Sequence, residues 1–113
     1  DTSRIYITGL SMGAYGVFEA IARYPSKFAA AVPVCGTGDT ALAPLFAHVP
    51  IWMFQGALDP AVDAAAARQM LEKLSEAGAK PGYTQYPETG HFAWLAAFSD
   101  KMMMQWLFSQ KLP

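Results

Sequence analysis

Short apolar runs that end at glycine or at a turn alternate along the chain with segments of helical periodicity. Residues 28–35 and 51–55 are almost continuously apolar, which is typical of strands buried on both faces of a parallel sheet. A β-branched and aromatic run precedes Gly9, and a shorter run follows Gly82. The predicted strands are Arg4–Thr8, Phe28–Cys35, Ile51–Gln55 and Gly82–Tyr86.

Three segments carry apolar residues at helical spacing. The first runs over Gly16–Tyr24 and ends before Pro25, which cannot continue a helix interior. The second begins after Asp63, a residue type that caps helix amino termini, and ends at Gly78. The third spans Asp100–Gln110. The predicted order is β-α-β-β-α-β-α, which indicates an α/β fold with a parallel sheet and helices on both faces.

Composition supports one folded domain over residues 1–113, because 53% of the residues are hydrophobic and 15% are charged. The net charge is −1 and the basic residues form no stripe, so nucleic acid is not an expected partner. The longest apolar runs fall far short of the roughly 20 residues that a membrane-spanning helix needs. We therefore expect no membrane span.

The sharpest chemical signal is the segment Gly9-Leu10-Ser11-Met12-Gly13, between a predicted strand and a predicted helix. Glycines flank a serine in this way where a strand turns so tightly into a helix that side chains would collide. Such a turn places Ser11 at a helix start, where free N–H groups stabilise negative charge. Ser11 is the predicted nucleophile and the Met12 N–H a predicted oxyanion donor. Alone, the pattern also occurs as a structural turn.

A serine hydroxyl needs a neighbouring base to become a nucleophile. On folds with this turn the order is serine, then an acid, then histidine, with the acid and the histidine on loops that follow strands. Asp59 follows the third predicted strand and His91 follows the fourth. His91 is therefore the predicted base, oriented by Asp59. Asp39 and Asp63 are alternatives for the acid, although each also suits a turn or a helix cap.

The remaining candidates have simpler interpretations. His48 lies in a loop that enters a strand at its amino end, away from the expected site, and is predicted to be a surface residue. Cys35 ends an apolar strand and is predicted to be a buried structural cysteine. The histidines and the cysteine lack ligand spacing, so no metal is expected. Tyr15 and Trp94 either line a pocket for an acyl or aryl group or pack a helix on the sheet.

Residues 1–13, 50–59 and 86–94 carry a resemblance to the α/β-hydrolase superfamily, in its bacterial branch of esterase D/PHB-depolymerase-like, phospholipase/carboxylesterase and predicted-peptidase proteins. The resemblance implies the α/β-hydrolase fold and cleavage of small carboxylic esters through an acyl-enzyme, without a cofactor. A serine peptidase of prolyl-oligopeptidase type and a non-catalytic domain are the alternatives. Two departures are Gln55, where such proteins commonly have histidine, and the apolar Phe92-Ala93 after His91.

In that family the serine turn follows the fifth strand of the sheet. The chain therefore resembles the carboxyl-terminal half of the domain, from the fifth strand onward. The resemblance implies that the other half holds the first four strands and the loop that supplies a second oxyanion N–H. The strand Arg4–Thr8 would then leave an apolar hydrogen-bonding edge open. We expect the amino-terminal half or another chain to pair with it.

Overall fold

The computed structural model describes all 113 residues. The sequence predicts a parallel sheet, and the structure contains a single sheet of four parallel strands in the order β1-β2-β3-β4. The strands are β1 (Tyr6–Leu10), β2 (Ala30–Val34), β3 (Trp52–Gly56) and β4 (Gly82–Tyr86). The helices are α1 (Met12–Arg23), α2 (Ala43–Phe46), α3 (Ala64–Glu76), α4 (Trp94–Ala97) and α5 (Lys101–Ser109), and a short 3-10 turn occupies Thr40–Leu42.

Helices cover both faces of the sheet. On one face, α1, α2 and α3 pack on Ala31, Ile51 and Met53. On the other face, α4 and α5 pack on Val32, Val34 and Phe54. Neighbouring residues of β2 and β3 thus enter different cores, because successive side chains of a strand point to opposite faces. This explains the continuous apolar runs and confirms the prediction of helices on both sides.

Several element bounds differ from the predicted ones. Helix α1 begins at Met12 rather than at Gly16, because the chain enters the helix directly from the turn at Ser11. Strand β1 lies two residues later than Arg4–Thr8, so that it runs into the same turn. Helices α2 and α4 were not predicted. Each has four residues, too few to show helical periodicity.

The predicted cap of α3 is present. The Asp63 carboxylate accepts a hydrogen bond from the Ala65 N–H at 2.8 Å, and Gly78 has a φ of 93° just after the helix, a conformation that glycine adopts readily. Asp100 caps α5 in the same way, by accepting from the Met103 N–H at 3.1 Å. None of the helices combines the length and the hydrophobicity needed to cross a lipid bilayer.

The carboxyl ends of the four parallel strands lie at one edge of the sheet. The segments that leave this edge carry Ser11 after β1, Cys35 after β2, Asp59 after β3 and His91 after β4. Ligand sites of open parallel sheets form at this edge. The topology therefore gathers the chemically active side chains into one place.

Candidate active site

Ser11 occupies a strained turn between β1 and α1. Its φ is 56°, a value uncommon for a residue with a side chain and frequent at functional sites. The turn is anchored because the Ser11 N–H donates to the Val34 carbonyl of β2 at 2.9 Å. The Ser11 side chain makes no capping hydrogen bond to α1. Its hydroxyl is therefore free to interact outside the helix.

The two glycines of this turn play different parts. A Cβ on Gly9 would collide with the backbone carbonyl of Gly13, as the sequence pattern predicts. A Cβ on Gly13 would meet no atom within 4 Å apart from its chain neighbours and the backbone of its own helix. The expectation that a side chain would collide at both glycines is therefore wrong for Gly13, because the crowding within residues 1–113 lies on the strand side of the turn.

This asymmetry predicts opposite results for two alanine variants. Gly9→Ala forces the new Cβ against the Gly13 carbonyl. This variant should lower the free energy of unfolding by roughly 1–3 kcal/mol. Gly13→Ala is the matched control, because Gly13 lies in the first turn of α1 and alanine favours a helix over glycine by up to about 1 kcal/mol. Urea denaturation of the full-length protein measures both. Equal losses in the two variants would contradict the described packing.

Ser11, His91 and Asp59 form a continuous chain of hydrogen bonds. The Ser11 Oγ lies 2.8 Å from His91 Nε2, and His91 Nδ1 lies 2.6 Å from Asp59 Oδ2. The Asp59 side chain has no exposed surface, whereas that of His91 is 22% exposed. Proton transfer from the hydroxyl to the imidazole is geometrically possible, because both distances are within hydrogen-bonding range. The structure thus brings together three residues that are distant in sequence.

Asp59 is held as a carboxylate. Its Oδ1 accepts from the N–H groups of Ala61 at 2.7 Å and Val62 at 2.9 Å. Burial raises the pKa of Asp59, but the hydrogen bonds from His91, Val62 and Ala61 outweigh it and hold the pKa below its ordinary value of 3.8. A charged Asp59 facing His91 Nδ1 favours the tautomer with its proton on Nδ1, which leaves Nε2 able to accept a proton.

The lowered pKa of Asp59 predicts a pH-dependent part of the folding stability. The contribution is fully present above pH 3.8, and it is lost as the pH falls from there through the lower pKa of the folded state. Asp59→Asn should therefore cost more unfolding free energy at about pH 7 than at about pH 3, which lies below the ordinary pKa of the carboxyl and where part of this contribution is lost. Denaturant titrations at the two pH values test this. The prediction would be contradicted if the difference in unfolding free energy between the wild type and Asp59→Asn did not shrink in acid.

Gln55 is a buried side chain that sequence reasoning noted only as a departure from the family pattern. It is 1% exposed, and its Nε2 donates to the carbonyls of Val62 at 3.0 Å and Gly56 at 3.2 Å. The same nitrogen lies 3.4 Å from Asp59 Oδ2. Gln55 thus ties the end of β3 to the segment that carries Asp59.

The segments that carry Asp59 and His91 are packed directly on each other. The Leu58 N–H donates to the Thr89 carbonyl at 3.0 Å. A Cβ on Gly56 would collide with the carbonyls of Thr89 and Gly90, so only glycine permits this approach at the end of β3. The contact fixes the separation of the acid and the histidine.

An open cavity of about 650 Å³ lies beside Ser11. Tyr15 lines it, whereas a role of Tyr15 in binding an acyl or aryl group stays a prediction. Trp94 does not line it: its ring packs edge-to-face on His91, with the ring centroids 5.5 Å apart, and against the core that α5 covers. Within residues 1–113, Trp94 thus packs on His91 and on this core and does not line the cavity. The lining residues are Ser11, Met12, Tyr15, Gly36, Thr37, Ala61, Val62, Asp63 and Ala66.

Met12 is the first residue of α1, directly after Ser11. The residue is 88% exposed. The N–H groups of a first helical turn have no partner inside the helix. The Met12 N–H therefore lies at the positive end of the α1 dipole beside the Ser11 hydroxyl.

Cys35 is part of this cluster, which sequence reasoning missed. Its sulfur, a carboxylate oxygen of Asp59 and a ring nitrogen of His91 all lie within 4.8 Å of one another. Cys35 is fully buried, as predicted, and burial raises the pKa of its thiol. The sequence contains a signal for this position, because Cys35 follows β2 at the same edge of the sheet from which the other candidate residues emerge.

The alternative residues lie elsewhere or have other partners. Asp39 caps the 3-10 turn by accepting from the Ala41 N–H at 2.9 Å, and Asp63 caps α3. His48 is exposed and lies at the amino end of the sheet, with its Nε2 2.8 Å from the Pro25 carbonyl. Of the acids considered, Asp59 is the one that contacts His91.

Solved structures share this architecture. The chain is 39% identical to a thermostable esterase, with a TM-score of 0.93, over 98% of this chain and 32% of that one. It is 24% identical to Arabidopsis thaliana SOBER1, with a TM-score of 0.66, over 80% and 46% of the two chains. An acylaminoacyl peptidase from Pyrococcus horikoshii is 17% identical, with a TM-score of 0.82, over 99% of this chain and 24% of that one.

The chain thus spans between about a quarter and a half of the length of these structures. The last two likenesses concern the fold alone. Among proteins with curated functions, none matches the sequence significantly. Residues 1–101 match the Dienelactone hydrolase family, so the chain belongs to that family and has the α/β-hydrolase fold.

Proposed function

We propose that the protein is a serine hydrolase that cleaves carboxylic esters through an acyl-enzyme. Ser11 is the nucleophile, His91 the general base and Asp59 the residue that orients His91. The observation that carries this proposal is the continuous hydrogen-bond chain from Ser11 Oγ to His91 Nε2 at 2.8 Å and from His91 Nδ1 to Asp59 at 2.6 Å. Membership of a hydrolase family supports it.

The proposed reaction has two halves. As the Ser11 Oγ attacks the ester carbonyl carbon, its proton passes to His91 Nε2, which then donates it to the leaving alcohol oxygen. The acyl group remains on Ser11. A water molecule then gives its proton to His91 and attacks the acyl carbon, and Ser11 recovers its proton as the acid leaves. Asp59 stabilises the imidazolium in both halves.

The Met12 N–H is the proposed oxyanion donor from these residues. It is at the first position of α1, where the free N–H groups and the helix dipole favour negative charge. Such donors stabilise the transition state when they face the developing oxyanion. The second donor is proposed to lie outside residues 1–113, on the part of the fold that the chain does not cover.

The lining of the cavity supports a substrate whose ester carries an apolar acyl or aryl group. Tyr15, Val62 and Ala66 supply apolar surface beside Ser11, and apolar walls with few polar groups are typical of small-molecule sites. No lysine or arginine lines the cavity, and Asp63 is its charged residue, so an anionic acyl chain is disfavoured. The similarity to a thermostable esterase at 39% identity also supports an ester.

A substrate panel tests the reaction class. The full-length protein should hydrolyse p-nitrophenyl esters of neutral acyl groups faster than matching peptide p-nitroanilides, because the ester is the more reactive carbonyl. Ser11→Ala should lose all but a small residual part of this activity. Faster turnover of the anilides would show that the protein is a peptidase and not an esterase.

A partner strand for β1 is part of the proposal. Within residues 1–113, β1 pairs with β2 on one side and has no strand on the other, and an open edge is prone to pair with another strand. Another part of the protein or a second chain is proposed to cover it. In the full-length protein, native-state hydrogen exchange should show the amides of β1 to be as protected as those of β2. Rapid exchange confined to β1 would reject the partner strand.

A further inference from the structure

Three side chains of different chemistry meet at the carboxyl edge of the sheet. The Cys35 sulfur, a carboxylate oxygen of Asp59 and a ring nitrogen of His91 lie within 4.8 Å of one another. Sulfur, nitrogen and carboxylate oxygen are the ligand atoms that zinc takes in proteins, and three protein ligands with an open fourth position is a common arrangement. The proposed ester hydrolysis uses Asp59 and His91 and leaves Cys35 without a part.

The backbone holds Cys35 in this place. Its N–H donates to the Phe54 carbonyl of β3 at 2.8 Å, and its φ is 56°, which is an unusual conformation for a residue other than glycine. Cys35 and Asp59 are both buried, so the thiol faces the cluster within the fold rather than solvent. Access is from the side of His91, whose side chain is 22% exposed.

We propose that Cys35, Asp59 and His91 bind one soft or borderline divalent cation, such as Zn²⁺ or Cd²⁺, and that the bound cation reversibly blocks the Ser11 site. In a tetrahedral zinc site the sulfur and nitrogen ligands are about 3.5 Å apart, from metal–ligand distances of about 2.3 and 2.0 Å. Side-chain movements of about 1 Å would therefore bring the three atoms to ligand distances. Soft thiolate ligands favour these cations over hard ones such as Mg²⁺.

Binding of the cation would change the positions of the protons on Cys35 and His91, and this change explains why the Ser11 site is blocked. The Cys35 S–H bond breaks, its proton leaves to solvent, and a bond from the thiolate to the cation forms. The cation takes His91 Nδ1, the nitrogen beside Asp59, and the proton of that nitrogen moves to Nε2. Nε2 then carries a proton toward Ser11 and cannot accept the serine proton. This inhibition rests on the proposed function, whereas the binding of the cation does not.

Cadmium titration of the full-length protein tests the binding. Cd²⁺ should produce a saturable thiolate-to-cadmium absorption band in the ultraviolet at one equivalent, and Cys35→Ala should lose that band. Cys35→Ser, which keeps a side chain of similar size, should also lose it, and circular dichroism should show that at least one variant is folded. Mg²⁺, a hard cation, should leave the spectrum unchanged. A band that persists in both cysteine variants would overturn the proposal.

Fluorophosphonate labelling of Ser11 tests the block separately. At a Cd²⁺ concentration tenfold above the dissociation constant, the labelling rate should fall about tenfold, because only the metal-free fraction reacts. Each cysteine variant should show the same rate with and without Cd²⁺. A cadmium band without any labelling in metal-free protein would reject the proposed hydrolase and keep the metal site. Labelling that Cd²⁺ does not slow, or that Mg²⁺ slows equally, would reject the block.

Discussion

Replacement of Ser11 by alanine is expected to lower kcat for ester hydrolysis by a factor on the order of 10⁶. In the proposed reaction the hydroxyl oxygen forms the acyl-enzyme, and His91 has no second nucleophile within its hydrogen-bond chain. A small residual rate above that of free solution should remain, because the Met12 N–H and the cavity would still bind the substrate. Steady-state kinetics with a p-nitrophenyl ester measures the loss.

Ser75→Ala is the matched control for this variant. Ser75 is exposed on α3, away from the carboxyl edge of the sheet, and the substitution is chemically identical. We expect it to keep kcat within about twofold of the wild type, since exposed positions away from a site tolerate such changes. If Ser11→Ala retains most of the activity while Ser75→Ala behaves as expected, the hydrolysis takes place at another site.

Asp59→Asn is expected to lower kcat by a factor of about 10⁴, the size of effect found when the orienting acid of such a triad becomes an amide. The Asn Oδ1 can still accept from the N–H groups of Ala61 and Val62, so the segment should keep its shape. The other oxygen becomes an NH2 group that faces both His91 Nδ1 and the Gln55 Nε2 donor. Asparagine therefore favours the tautomer whose proton lies on Nε2 and cannot serve as base.

Asp39→Asn provides the comparison for this variant. Asp39 caps the 3-10 turn through the Ala41 N–H, and asparagine caps equally well, so its kcat should equal that of the wild type. For Asp59→Asn, the loss should appear in kcat with KM little changed, because the orienting residue acts mainly in the transition state. A loss confined to KM would show that Asp59 shapes the cavity and does not orient His91.

The sheet could be predicted from the sequence because strands that are buried on both faces consist almost entirely of apolar residues. Residues 28–35 and 51–55 are almost continuously apolar, and both form the strands whose side chains enter two cores. The bounds of β1 and α1 could not be placed as well, because Gly9 and Gly13 interrupt both patterns at the turn. Single-turn helices such as α2 carry too few residues for any periodic signal.

The candidate site could be predicted where position along a strand determines position in space. Ser11, Asp59 and His91 each follow a strand of one parallel sheet, so the order of elements places them at a common edge. Gln55 and Cys35 obey the same geometry. Their positions beside Asp59 were not predicted, because a buried polar or sulfur side chain within an apolar run gives no separate signal and only the packing shows what it contacts.

Active-site labelling followed by peptide mass spectrometry tests the central claim most directly. A fluorophosphonate should form one adduct on the full-length protein, on the peptide that contains Ser11. His91→Ala should slow its formation by a factor of about 10⁴ or more, whereas His48→Ala, at the opposite end of the sheet, should leave the rate unchanged. A folded protein that remains unlabelled, or an adduct on any residue other than Ser11, would contradict the account.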